Sequence, residues 1–184
     1  MSMFYELLMK AKEVYAQVFG TLTESPKGVF SGFSDANYLL IEQGTPDDMT
    51  ELLVEFTTPS TIPGSGTQTI VNMGIFSLSL YNKLITLYGG SGGQTVIPKD
   101  ALVGGSTYVI RAVRNTGKSF TFYYSKDGGD FIETTTWVSN MSWGTLIRIG
   151  SSTNTGRGWK GSINVGNTRI TRASGVWYKG KVKW

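Results

Sequence analysis

Apolar and polar residues alternate in short runs along most of this chain, and clusters of Gly, Pro, Asn and Asp separate the runs. That alternation is the period of a half-buried strand. Over 76–81, Phe76, Leu78 and Leu80 fall on one face and Ser77, Ser79 and Tyr81 on the other. Asn82-Lys83 follows as a two-residue turn into the strand LITLY, which predicts a hairpin. A second hairpin is predicted from 108–114 and 119–125, closed by Asn115-Thr116-Gly117, with Phe120, Phe122 and Tyr124 on one face. Further strands are expected at 33–42, 52–56 and 146–150. The segment 156–170 reads as a glycine turn, a short strand ending in Ile163, a turn at Gly166-Asn167 and another strand from Arg169. Gly161, two positions after Trp159, marks a close backbone approach or a positive φ that a side chain would block. The prolines and glycines of TTPSTIPGSG exclude a central strand there, and GGSGG at 89–93 reads as a flexible loop tip. Strands this frequent, in hairpin order, predict a mainly β fold, an antiparallel two-sheet sandwich.

One stretch carries a different period. Phe4, Leu7, Ala11, Val14 and Val18 recur at helical spacing, Leu8 and Tyr15 widen the stripe, and Gly20 stands as a stop. The expectation is one N-terminal α-helix over 1–20, about 28 Å long, then a linker over 21–27 and the sandwich over 28–184. The stripe has two open readings: an oligomerisation or attachment helix, or a helix lying against its own sandwich.

Composition narrows the chemistry. A chain of 184 residues is long enough for one domain with a sizeable core, and its 24 glycines suit many tight turns. The absence of cysteine excludes disulfides and thiolate metal sites, and the absence of histidine removes the commonest general base and metal ligand. No apolar run has the length of a membrane span, so no membrane insertion is expected. Glu6, Lys10 and Lys12 interrupt the first apolar stretch, against a secretory signal. The net charge of +4 conceals an asymmetry. Residues 1–60 hold three basic and nine acidic side chains, whereas 134–184 hold eight basic and none acidic. Two readings follow: a basic surface for an acidic partner, or local neutralisation where strands from the two ends of the chain pair. The second predicts Arg157, Lys160, Lys179, Lys181 and Lys183 against Glu42, Asp47, Asp48, Glu51 and Glu55.

Several phrases resemble the laminin-G/concanavalin-A-like jelly-roll family. LIRIG followed by GRGWKGSINVGNTRI is similar to its closing strands, with Asn164 standing where the family has Asp. FSDANYLLIE looks like its opening strand, ELLVEFTTP like its first inner strand, and STYVIRAVRNTGKSFTFYYSKDGG like its central hairpin. The resemblance covers about residues 28–178 and rests on strand order. Short, cysteine-free, glycine-rich versions with a leading helix look like bacteriophage virion components. The resemblance then implies a head or tail fibre, or a decoration on the particle surface. It would be a homo-oligomer, a trimer in that picture, touching other virion proteins and a host-surface glycan.

The same resemblance raises two chemistries. Glucanases of this fold need paired carboxylates facing one cleft, and their Glu-x-Asp-x-x-Glu strand motif has no match here. Asp47-Asp48, Asp127 and Asp130 lie in turns, where aspartates bond nearby backbone N–H groups. With nucleophilic triads and phosphate-binding loops also lacking, no catalytic residue and no enzymatic activity are expected, and no nucleic-acid partner. Calcium is the one cofactor the resemblance suggests, through Asp35 and Asn37 or Asp127 and Asp130; otherwise none is expected, and no metal-site residue is assigned. Sugar binding is the most specific candidate, because Trp143, Trp159, Asn140, Asn154 and Arg157 fall in loops around the 146–150 strand, joining an aromatic plate to planar hydrogen-bonding groups. The alternative places Trp137 and Trp159 in the core, with Trp177 and Trp184 at subunit contacts. The expected function is therefore a non-enzymatic lectin-like module of a virion. A purely structural subunit, or a glycan hydrolase on the same fold, is the alternative.

Overall fold

The computed structural model describes residues 13–74, 76–89, 92–117, 119–138, 144–153 and 155–184. Among them the chain forms strands, turns and loops and no helix. The leading strands are β1 (Ala16–Phe19), β2 (Thr23–Glu24), β3 (Val29–Ser31), β4 (Tyr38–Ile41) and β5 (Met49–Thr57). Then come β6 (Thr67–Asn72), β7 (Ser77–Tyr81), β8 (Leu84–Gly89), β9 (Gly92–Ile97), β10 (Thr107–Arg114) and β11 (Ser119–Lys126). The last are β12 (Ile132–Val138), β13 (Ile147–Ile149), β14 (Ser162–Arg172), β15 (Gly175–Tyr178) and β16 (Val182–Lys183).

Two sheets stack face to face. The first runs β16-β1-β4-β13-β6-β7-β8-β9, and the second β12-β11-β10-β5-β14-β3-β2 with β15 also on β14. The expected two-sheet sandwich is thus present, and among its named strands β1 and β16 depart from the antiparallel order by pairing in parallel, Ala16 opposite Val182. Both predicted hairpins form, β7 with β8 and β10 with β11. Inward-facing positions alternate as the sequence pattern demands: Leu52, Val54 and Phe56 on β5, Ile110 and Ala112 on β10, Leu78 and Leu80 on β7 are all buried. Phe76 packs edge to face with Phe120, Phe122 and Trp137 at centroid distances of 5.9, 5.8 and 6.1 Å, an arrangement that suits the positive edge of one ring against the negative face of another.

Two expected elements need correction. The C-terminal part of the N-terminal helix is extended chain: Ala16–Phe19 is β1, an inner strand of the first sheet, and Val14 is only 8% exposed in the core. Val18 packs partly buried against the same core. The apolar stripe here serves a strand because backbone pairing to β4 and β16 buries it, which no helix propensity of this short segment offsets. Phe4, Leu7 and Ala11 lie outside the described residues. The 21–27 linker contains β2, so the sandwich begins well before residue 28. The second correction concerns 156–170, where Gly166-Asn167 does not divide two strands. β14 runs through it as a bulge: Asn164 pairs with Glu55 and Arg169 with Leu53, leaving four residues against one. Glu55 holds that bulge by accepting from Asn164 Nδ2 and Asn167 Nδ2, each at 2.9 Å.

Candidate functional site

The outer face of the first sheet carries the polar half of the alternation. On β7 these positions are Ser77, Ser79 and Tyr81, and on β8, Leu84, Thr86 and Tyr88. Tyr81 is opposite Leu84 and Tyr88 opposite Ser77, so the two tyrosines stand at opposite ends of the paired strands. Their rings nevertheless meet edge to face, 5.9 Å between centroids. They must lean toward each other over Ser79 and Thr86, and both of those are buried although they face outward. Beneath the rings, Ser79 Oγ lies 3.2 Å from both Thr69 Oγ1 and Ser77 Oγ. Thr86 Oγ1 is buried without a protein partner.

The loop before β14 supplies the other wall. Gly156 N donates to Asp35 Oδ2 at 2.5 Å and Arg157 N to Asp35 Oδ1 at 3.2 Å. Arg157 O accepts from Thr69 N at 2.8 Å, and Gly158 bridges to Thr69 in parallel, extending the sheet by one residue. Gly158 has to be glycine, since a Cβ there would lie 2.4 Å from Ser34 Cα. The Arg157 backbone is therefore held on both sides while its side chain reaches a groove of about 370 Å³, shared with Thr67, Tyr81 and Tyr88. Tyr81 is 40% exposed at its rim. Burial pushes the Tyr88 phenol above its ordinary value, as does the Tyr81 phenol, and the Arg157 charge opposes both. Tyr88 thus stays a neutral donor and acceptor at physiological pH. Two aromatic rings, a hydroxyl and a guanidinium around one concavity can stack on an apolar ring face and hydrogen-bond its substituents.

The sequence-expected sugar residues divide. Arg157 lies in this groove. Trp159 does not: it is 0% exposed, its ring edge-on to Phe56 at 5.4 Å, and its Nε1 donates to Ser162 O at 3.3 Å. It turns inward because Gly161 lets the chain pass so close to β5 that a Cβ would lie 1.9 Å from Thr57 O. A ring in that position cannot serve as a surface plate. Trp137 is likewise a core residue. Trp143, Asn140 and Asn154 lie outside the described residues. The sequence reading makes Tyr81 and Tyr88 neighbours in one hairpin but passes over them as site residues, because alternation does not show that their rings lean together or that the Arg157 loop reaches them. The Tyr81/Tyr88 hairpin and its Asn82-Lys83 turn were the signal that could have found them.

Three of the four calcium candidates hold backbone groups. Asn37 accepts from Thr21 N and donates to Gly32 O, Asp35 anchors the loop just described, and Asp127 accepts from Thr107 N at 2.8 Å. Among the described residues no three acidic side chains gather as a metal site would need. Two cations of the basic C-terminal third pair with acids of the same sandwich at its surface: Arg172 with Asp48 at 3.0 Å, and Lys181 with Glu13. The partners differ from the expected set, because strand register decides which charges face each other. Trp177 is partly buried against the core; Trp184 is 69% exposed, its ring 5.9 Å from that of Phe30.

No family model matches the chain, and no curated protein matches it. Solved structures match through the fold. The enzymatically active domain of tailspike protein 2 from bacteriophage CBA120 superposes with a TM-score of 0.60 at 15% identity, over 88% of this chain and 29% of that one. The botulinum neurotoxin serotype D binding domain gives 0.62 at 10% identity, over 84% and 43%. A protein of unknown function from Shewanella oneidensis MR-1 gives 0.54 at 16% identity, over 89% and 80%. The chain thus spans less than half the length of the tailspike and toxin domains it matches. What it shares with these structures is the two-sheet β-sandwich fold.

Proposed function

We propose that this chain is a non-enzymatic saccharide-binding module of a bacteriophage virion, a fibre or decoration protein that meets host-surface glycans. The observation that carries the reading is the Tyr81/Tyr88/Arg157 groove on a hydroxyl-rich sheet face. Its described lining holds no carboxylate, whereas glycoside hydrolysis needs two flanking the scissile bond. Asp48, Glu51 and Glu55, the acids nearest the middle of the other sheet, are engaged by Arg172, Arg111 and the β14 bulge. The fold shared with a phage tailspike domain supports the virion setting. In that setting the protein is a homo-oligomer on the particle surface, with residues 1–12 as its attachment segment.

The test is saturation-transfer NMR against a panel of neutral and acidic monosaccharides and their short oligomers. Wild type is expected to bind at least one class. The double variant Tyr81→Ala/Tyr88→Ala is expected to weaken that binding about ten- to a hundredfold, the range of roughly 1–3 kcal/mol for ring stacking, with an unchanged circular dichroism spectrum. Trp159→Ala is expected instead to lower stability by about 3–5 kcal/mol as a core deletion. Undiminished binding by the tyrosine variant would remove the groove from the reading.

A further inference from the structure

We infer that the saccharide taken by the Tyr81/Tyr88/Arg157 groove is acidic, a sugar bearing a carboxylate that Arg157 grips; this rests on the saccharide reading above. A neutral sugar would need aromatic rings and hydroxyls, which Tyr81, Tyr88 and Thr67 already offer. The guanidinium adds a permanent positive charge with planar, paired donors that fit a carboxylate in two parallel hydrogen bonds. That charge is uncommitted. The side chain of Arg157 makes no ion pair or hydrogen bond with the described residues, in contrast to Arg111, Arg114, Arg169 and Arg172. Asp35, the acid this loop touches, accepts from the backbone N–H groups of Gly156 and Arg157, so it holds the loop in place.

The surroundings reinforce the sign. The loop TGRGWKG brings a second cation, Lys160, and no acid; the Lys160 N–H donates to Gln68 Oε1 at 3.1 Å, next to Thr67 of the groove. Arg157 is also close enough to Tyr88 for its charge to act on the phenol. A sugar ring stacked on either tyrosine would therefore have an exocyclic carboxylate within reach of the guanidinium. Because the Arg157 backbone is clamped by Asp35 and Thr69, little ordering of the loop opposes binding.

The probes are glucuronic, galacturonic and N-acetylneuraminic acids, each beside its methyl ester, which keeps the ring and removes the charge. Dissociation constants by NMR titration are expected to favour an acid over its ester by about tenfold, in line with a charge-assisted bidentate pair. That preference is expected to disappear in Arg157→Met and to shrink with added salt. Equal binding of acid and ester by wild type, lost in Tyr81→Ala/Tyr88→Ala, would overturn the acidic class and leave the saccharide site standing. An acid preference that persists in Arg157→Met would also overturn it, placing the recognising charge elsewhere. Binding of no acid, ester or neutral sugar would overturn both the acidic class and the saccharide reading.

Discussion

Tyr178 has no exposed surface, and its hydroxyl donates to Lys181 O at 3.3 Å. Burial pushes its phenol well above the ordinary value, with the nearby Arg169 charge opposing only in part. In the unfolded chain the same phenol ionises near pH 10. Above that pH the unfolded state has lost a proton that the folded state keeps, so stability falls as pH rises; below it the contribution is fully present. Thermal melts between pH 8 and 11.5 are expected to show a steeper alkaline decline for wild type than for Tyr178→Phe. Equal slopes would mean that the phenol ionises in the native state. The fate of Trp159 follows the same logic. A tryptophan in a glycine-rich loop is as compatible with a binding plate as with a core, and only the close passage of Gly161 by Thr57 O decides for the core.

Among the elements, hairpins were the most legible. Asn82 and Lys83 take φ of 50° and 64°, both left-handed, as a two-residue turn between twisted strands requires. A non-glycine residue pays for that conformation, about 1 kcal/mol or more. Lys83→Gly is therefore expected to stabilise the protein by about 0.5–1 kcal/mol, read as a higher urea midpoint at unchanged slope. A lower midpoint would show that the lysine side chain contributes more than its backbone costs. The bulge in β14 looks like a turn in the sequence for a physical reason. Gly-Asn is a turn signal between strands, and nothing local reveals that β5 continues past it on the same edge. The start of the chain misled in the opposite way. A stripe of Val14 and Val18 four residues apart suits a helix, yet alternate residues of β1 also bury Ala16 and Val18 against one sheet face.

For the whole molecule, strand pairing joins the ends of the chain. β16 adds to β1, and Lys181 reaches Glu13, whose carboxyl is held below its usual range by that hydrogen bond. Two of the eight basic side chains of 134–184 thus meet acids from the start of the chain, Lys181 with Glu13 and Arg172 with Asp48. The proposed oligomer must use what remains. With Val14 in the core, a seam falls to Phe4, Leu7, Leu8 and Ala11, outside the described residues. Light scattering is expected to give an oligomer for the full chain and a monomer for Leu7→Glu, which leaves every described core residue intact. A monomer in both cases would remove the oligomer from the proposal.

Fold class was within reach of the sequence because alternation and turn chemistry are local: each strand announces its own faces, and hairpins join neighbours. The cation of the site was legible too, since Arg157 stands in a glycine-bounded loop of polar composition. Only tertiary structure could bring that loop across β6 to the β7–β8 face, because it is held there by Asp35, 122 positions before Arg157, and by Thr69, 88 positions before it, and such long-range pairings depend on strand order.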